Sequence, residues 1–155
     1  MFDLINGLPI HPLIVHAVVV LVPLAALGTI ALAVRPSWRR RYGVLVVAIA
    51  ALGTALTPVA TSSGEALEKR VGDPGQHAAL GDQLIWFMLP LLVLAVALVV
   101  LDRRRSDATT LVRAVATLGI VAALATTVQV YRIGDSGARA AWGDQVSSTG
   151  TTGGD

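Results

Sequence analysis

The sequence predicts an all-α protein, a polytopic four-helix transmembrane bundle, and three observations carry that prediction. Of its 155 residues 54% are hydrophobic and only 14% charged, where an ordinary soluble domain is about a quarter charged; the mean hydropathy is +0.70. Four apolar runs, residues 13–34, 42–62, 80–101 and 111–131, approach or exceed the ~20 residues a helix needs to cross ~30 Å of hydrocarbon. The arginines flank the runs.

The first run has no formal charge between Asp3 and Arg35 but holds His11 and His16 in "GLPIHPLIVHA". A cleaved signal peptide would need a basic leader and a short apolar core, and neither is present. His11 stands before Pro12, which biases it away from helical backbone, so it is expected to precede or cap the first helix as a wet interfacial side chain. His16 lies one turn deeper, on a face shared with Pro23, Leu27 and Ile30 that is expected to point into the bundle. Pro23, Pro58 and Pro90 each remove one backbone hydrogen bond, so the first three helices are expected to kink.

The second run carries small residues at helical spacing, Ala50, Gly53, Thr54, Thr57, Thr61 and Gly64. The fourth repeats the pattern with Ala116, Gly119, Ala123 and Thr126, flanked by Gln129. Membrane helices pack through close backbone approach at such residues, so these faces are predicted to line the interior. Threonines bonding back to their own helix explain the stripe more simply than a functional polar track does. Beyond residue 62 the polar stretch "SGEALEKRVG" keeps helical spacing and should carry the second helix past the bilayer to Gly72. Pro74 suits the first turn of the third helix, placing His77 near its start, with Gly81, Leu84 and Met88 below on one face. Met88 reads as core packing. The membrane domain is taken as residues 1–143, and the Ser, Thr and Gly tail 144–155, with nothing to bury, is expected to be disordered.

Orientation follows from charge. Arg35, Arg39, Arg40 and Arg41 occupy one connection, and Arg103, Arg104, Arg105 and Arg113 another. Counting all charges gives faces of about +6 and −4, with the arginine side cytoplasmic and both termini outside. Trp38 and Tyr42 at the inner boundary, and Trp86 and Tyr131 at the outer, fit interfacial belts. The expected location is a bacterial cytoplasmic (inner) membrane.

Composition also excludes. Without cysteine there is no disulfide, thiolate metal site or covalently attached haem. The pI of 9.7 comes with a net charge of only +2, so nucleic acid is not an expected partner. No nucleophile with its base, phosphate loop or carboxylate pair points to a hydrolytic enzyme. No internal repeat is legible and no carboxylate is embedded deep in a span, which leaves transport unsupported.

The histidines remain. His11 and His16 are about 140° apart around a helix and cannot share a face if both are helical. His16 and His77 come from different helices at similar depth, the minimal geometry for two axial ligands of a b-type haem or for a transition-metal site. Alternatively, a histidine there hydrogen-bonds Thr61, Gln129 or Asp82.

The motif "GLPIHPLIVHA", the two arginine-flanked turns and the ending "YRIGDSGARAAWG" together resemble the membrane proteins grouped as domain of unknown function 2231, over about residues 7–143. The resemblance implies four spans and supplies no activity. It places the motif histidines at His11 and His16 and the helix-three histidine at His77. It also implies a further histidine in the Gly-rich turn after helix four, where this chain has Asp135. An aspartate cannot replace an imidazole as haem ligand, which weakens a multi-haem arrangement, but it suits a cation or an ion pair with Arg132 or Arg139.

Three readings follow. One is a haem-binding redox module using His16 and His77 near the outer leaflet, exchanging electrons with a quinone or an outer partner. Another is an accessory or scaffold subunit of a larger membrane complex, with the polar cluster of His11, Thr61, Asp82, Gln129 and Asp135 structural. The third is an outward-facing metal or proton site.

Overall fold

The computed structural model describes residues 4–5, 8–72, 75–104 and 109–148. Four helices dominate it: α1 (Ile10–Val34), α2 (Pro36–Val71), α3 (Gln76–Arg103) and α4 (Thr109–Ser148). Before α1, β1 (Leu4–Ile5) pairs antiparallel with β2 (Leu8–Pro9). All four helices are long and apolar enough to cross a membrane. Their outer faces show large apolar side chains such as Leu13, Leu27, Val93, Val121 and Val128. A soluble monomer does not expose so continuous an apolar surface, and a lipid bilayer covers it here.

The helix ends have local causes. Pro12 sits in the first turn of α1, where its missing N–H has no intrahelical partner to lose, so the helix begins ahead of it at Ile10 and takes in His11. A single residue, Arg35, turns α1 into α2, and Pro36 opens the new helix. Arg39, only 5% exposed, stitches this turn by donating from Nε to Leu32 O at 2.8 Å and from Nη2 to Ala33 O at 3.2 Å. Gly72 ends α2 at φ 99°, a conformation that favours glycine. Pro74 lies outside the described residues, and α3 opens after Gly75.

The helix α4 runs well past the expected span end at residue 131, through Gly134 and Gly137 to Ser148. The glycines there do not act as a turn. Of the expected tail, residues 149–155 lie outside the described residues, while α4 takes in 144–148.

The helices pack in the ring α1–α2–α3–α4, with α1 and α3 also meeting across the centre. The core runs along the axis through Val22, Ala25, Ala50, Met88, Leu91 and Ala123. The interior stripes of α2 and α4 fall where small residues placed them: Ala50, Gly53, Thr57, Gly119, Ala123, Thr126 and Gln129 are buried. Their hydroxyls return to the carbonyl four residues back, as in Thr57 to Gly53 at 3.0 Å and Thr126 to Ala122 at 2.7 Å, which leaves no free polar track there.

A repeat emerges in the pattern of burial. The buried positions of α1 recur in α3 at one constant offset: Val18 and Leu84, Val22 and Met88, Ala25 and Leu91, Thr29 and Ala95, Leu32 and Leu98. Those of α2 recur in α4 at a second constant offset: Val46 and Gly119, Ala50 and Ala123, Gly53 and Thr126, Ser63 and Ser136. The bundle is therefore two equivalent helical hairpins, α1–α2 and α3–α4, related by a pseudo-two-fold axis along its length.

Candidate functional site

The first face assigned to α1 requires correction. His16 is exposed, and its Nδ1 donates to Pro12 O of its own helix at 2.5 Å. Leu27, on the same face, is exposed as well. Because α1 is apolar all round, polarity could not tell its inner face from its lipid face. The inner face is instead the line Val18, Val22, Ala25, Thr29 and Leu32, and His11, two turns before Val18, continues it. His16 therefore does not face His77 across the bundle. His11, on the inner face, holds the position in α1 that corresponds to His77 in α3.

His11 is half-buried. Its Nδ1 donates to Ala60 O at 3.0 Å and lies 3.1 Å from Ser63 Oγ, while the Ser63 hydroxyl itself donates to Ala60 O at 2.9 Å. The ring rests on Gly64, where an added Cβ would come within 3.0 Å of Cε1.

His77 repeats each of these contacts in the second hairpin. Its Nδ1 donates to Ile133 O at 3.0 Å, with Ser136 Oγ at 3.5 Å, and Ser136 donates to Ile133 O at 2.9 Å. Its ring rests on Gly137, where an added Cβ would lie 3.0 Å from both Cε1 and Nδ1. A carbonyl, a serine three residues on and a glycine four residues on thus form one cradle on α2 and the same cradle on α4. Each imidazole stands in the first turn of its helix, His11 on α1 and His77 on α3.

The chemistry follows from the acceptors. A carbonyl cannot donate, so Nδ1 carries the proton in both rings, and a neutral imidazole then presents an unprotonated Nε2. Metal-ligating histidines are commonly oriented through such an Nδ1–H to carbonyl bond, which fixes the tautomer and raises the basicity of the other nitrogen. The described residues contain no group of three or more His, Cys, Asp and Glu side chains able to hold a metal ion.

The other expected polar residues lie apart from this pair. Gln129, 2% exposed, donates to Leu80 O at 2.9 Å and ties α4 to α3. Thr61 donates back to Thr57 O at 3.3 Å. Asp82 is exposed. Asp135 pairs with Arg139 on the surface of α4 at 2.9 Å. None of them bonds a histidine. Sequence reasoning missed Ser63 and Ser136, although "SSG" and "DSG" stand at matching places in the two halves and were the available signal.

Residues 7–150 match the family described as predicted membrane protein, DUF2231. The chain belongs to the DUF2231 family. No curated protein and no solved structure matches it. As a DUF2231 member it is a multi-pass membrane protein whose family name carries no activity.

Proposed function

We propose that this DUF2231 protein holds a cofactor between His11 and His77 and serves membrane electron transfer, exchanging electrons with a quinone or with a partner on the histidine side. The observation that carries this reading is the pair of matching cradles, each holding an imidazole through Nδ1 so that Nε2 is left unprotonated. The donor set suits a b-type haem better than a bare transition-metal ion. A haem brings four nitrogens of its own, so two imidazoles would be enough to hold it, whereas a bare ion would need further side chains. His11, His77 and their cradles would hold the group, and the group would supply one-electron chemistry. The charge asymmetry supports a bacterial cytoplasmic membrane with the histidine end and both termini outside.

The test is spectroscopic. Protein purified from haem-supplied cells is recorded oxidised and reduced, as wild type and as His11→Ala, His77→Ala and His16→Ala. A Soret band should be present in the wild type, lost in the first two variants and kept in the third. A wild type with no Soret band overturns the haem assignment, and metal analysis of the same sample then separates a metal site from a purely structural pair, the arrangement expected of an accessory or scaffold subunit.

A further inference from the structure

A second site lies at the opposite end of the bundle and does not depend on the histidines. There all four helices border a cleft of about 510 Å³ lined by Arg39, Arg40, Arg113, Asp102 and Thr109, with apolar wall residues such as Val112. Three guanidinium groups face one carboxylate. Arg40 takes that carboxylate, with Nε 3.3 Å from Asp102 Oδ2. Arg39 is buried, and its hydrogen bonds go to main-chain carbonyls, which carry no formal charge to neutralise it. Arg113 makes no hydrogen bond or ion pair among the described residues.

The repeat explains the imbalance. Arg40 and Arg113 are equivalent positions, separated by the same offset as Ser63 and Ser136. The first-hairpin counterpart of Asp102 is Pro36, because the chain there has already turned into α2. Among the described residues, one arginine of the pair therefore has its acid and the other has none. Pro36 and Thr109, the first residues of α2 and α4, also line the cleft, so two helix N-termini add partial positive charge to the uncompensated arginines.

The level of the cleft identifies what is at hand to fill it. Trp38 and Tyr42, in edge-to-face contact and exposed, flank it on α2, with Arg35 5.0 Å over the Trp38 ring and Arg41 5.3 Å over the Tyr42 ring. Aromatic and arginine residues so placed mark the headgroup layer. Basic pockets between spans at that depth bind anionic headgroups. We infer that the cleft binds a phosphate-bearing anion, supplied by the headgroup of an anionic phospholipid.

The experiment uses the full chain and two charge-matched pairs of variants, with bound lipid read by native mass spectrometry after adding phosphatidylglycerol or phosphatidylcholine. Wild type should retain phosphatidylglycerol in preference to phosphatidylcholine. Arg113→Gln should weaken that binding about fivefold, the effect of one basic residue near a headgroup, while Arg132→Gln at the histidine end should not. Asp102→Asn should strengthen binding by freeing Arg40, and Asp82→Asn should not. Arg113 and Arg132 are exposed, so neither variant threatens folding. Inorganic phosphate that displaces phosphatidylglycerol supports capture through the phosphate. Phosphate binding that Arg113→Gln abolishes, without a preference for the anionic lipid, keeps the anion site and assigns a soluble source. Equal binding of the two lipids without phosphate binding, or equal effects within each matched pair, overturns the inference.

Discussion

If the two histidine cradles are copies of one another, a methyl group added to either should do the same damage. In Gly64→Ala the new Cβ would lie 3.0 Å from His11 Cε1, and in Gly137→Ala 3.0 Å from Cε1 and Nδ1 of His77, where ordinary contact begins at 3.4 Å. Each ring must retreat ~0.4 Å, yet each is tethered by a 3.0 Å bond to Ala60 O or Ile133 O. Retreat stretches that bond toward ~3.4 Å, the edge of hydrogen bonding. Loss of one net bond is worth about 0.5–1.5 kcal/mol, and residual overpacking adds about 1–3 kcal/mol where the ring cannot move. We expect each variant to lose about 1–3 kcal/mol. Gly134→Ala is the control: it is one turn from Gly137 on the same helix, but its Cβ would meet nothing within 4 Å. Better helix propensity should stabilise it by up to about 1 kcal/mol. Unfolding in detergent, followed by circular dichroism, measures all three. A gap above about 1 kcal/mol between Gly64→Ala and Gly137→Ala would refute the equivalence of the cradles, and a Gly137→Ala as stable as Gly134→Ala would refute the close packing.

Two further expectations use simpler readouts. Gln129→Leu keeps the volume but removes the bond from α4 to Leu80 O, and in the same unfolding assay it should cost about 0.5–2 kcal/mol, the range of interhelical hydrogen bonds in membranes. Thr57→Val, whose hydroxyl serves only its own helix, should stay within about 1 kcal/mol of wild type. The chain has no cysteine, so Arg104→Cys and Gln76→Cys give clean single-thiol reporters. A membrane-impermeant maleimide added outside intact cells should label the second and spare the first, and the reverse pattern would invert the proposed orientation.

Helix number, the interior stripes of α2 and α4 and the end of α2 at Gly72 were legible because each rests on local chemistry: apolar length, small residues at helical spacing, a glycine cap. The inner face of α1 was not. Its outward residues are as apolar as its inward ones, and the bias of Pro12 against helical backbone drew attention to His16 when the first turn of a helix tolerates proline. The repeat was hidden because burial recurs where identity does not, as in Val22 with Met88 or Thr29 with Ala95. Gly134 and Gly137 suggested a turn, whereas Gly137 sits within α4 as the floor beneath His77. The repeat also removes one objection to transport, since parallel repeats occur in transporters; the lack of a carboxylate deep in any span stands.

The passage between the hairpins is bounded by Gly72 and Gly75, both at positive φ, 99° and 60°. On either side of it stands a complete unit with its own histidine, its own cradle and its own arginine. The molecule is in effect a dimer written as a single polypeptide, and the join frees its halves from having to stay alike. In an identical pair every substitution would appear on both sides of the axis at once. Here the histidine end shows the two-fold match and the arginine end does not, with Asp102 beside Arg40 and, among the described residues, no acid beside Arg113.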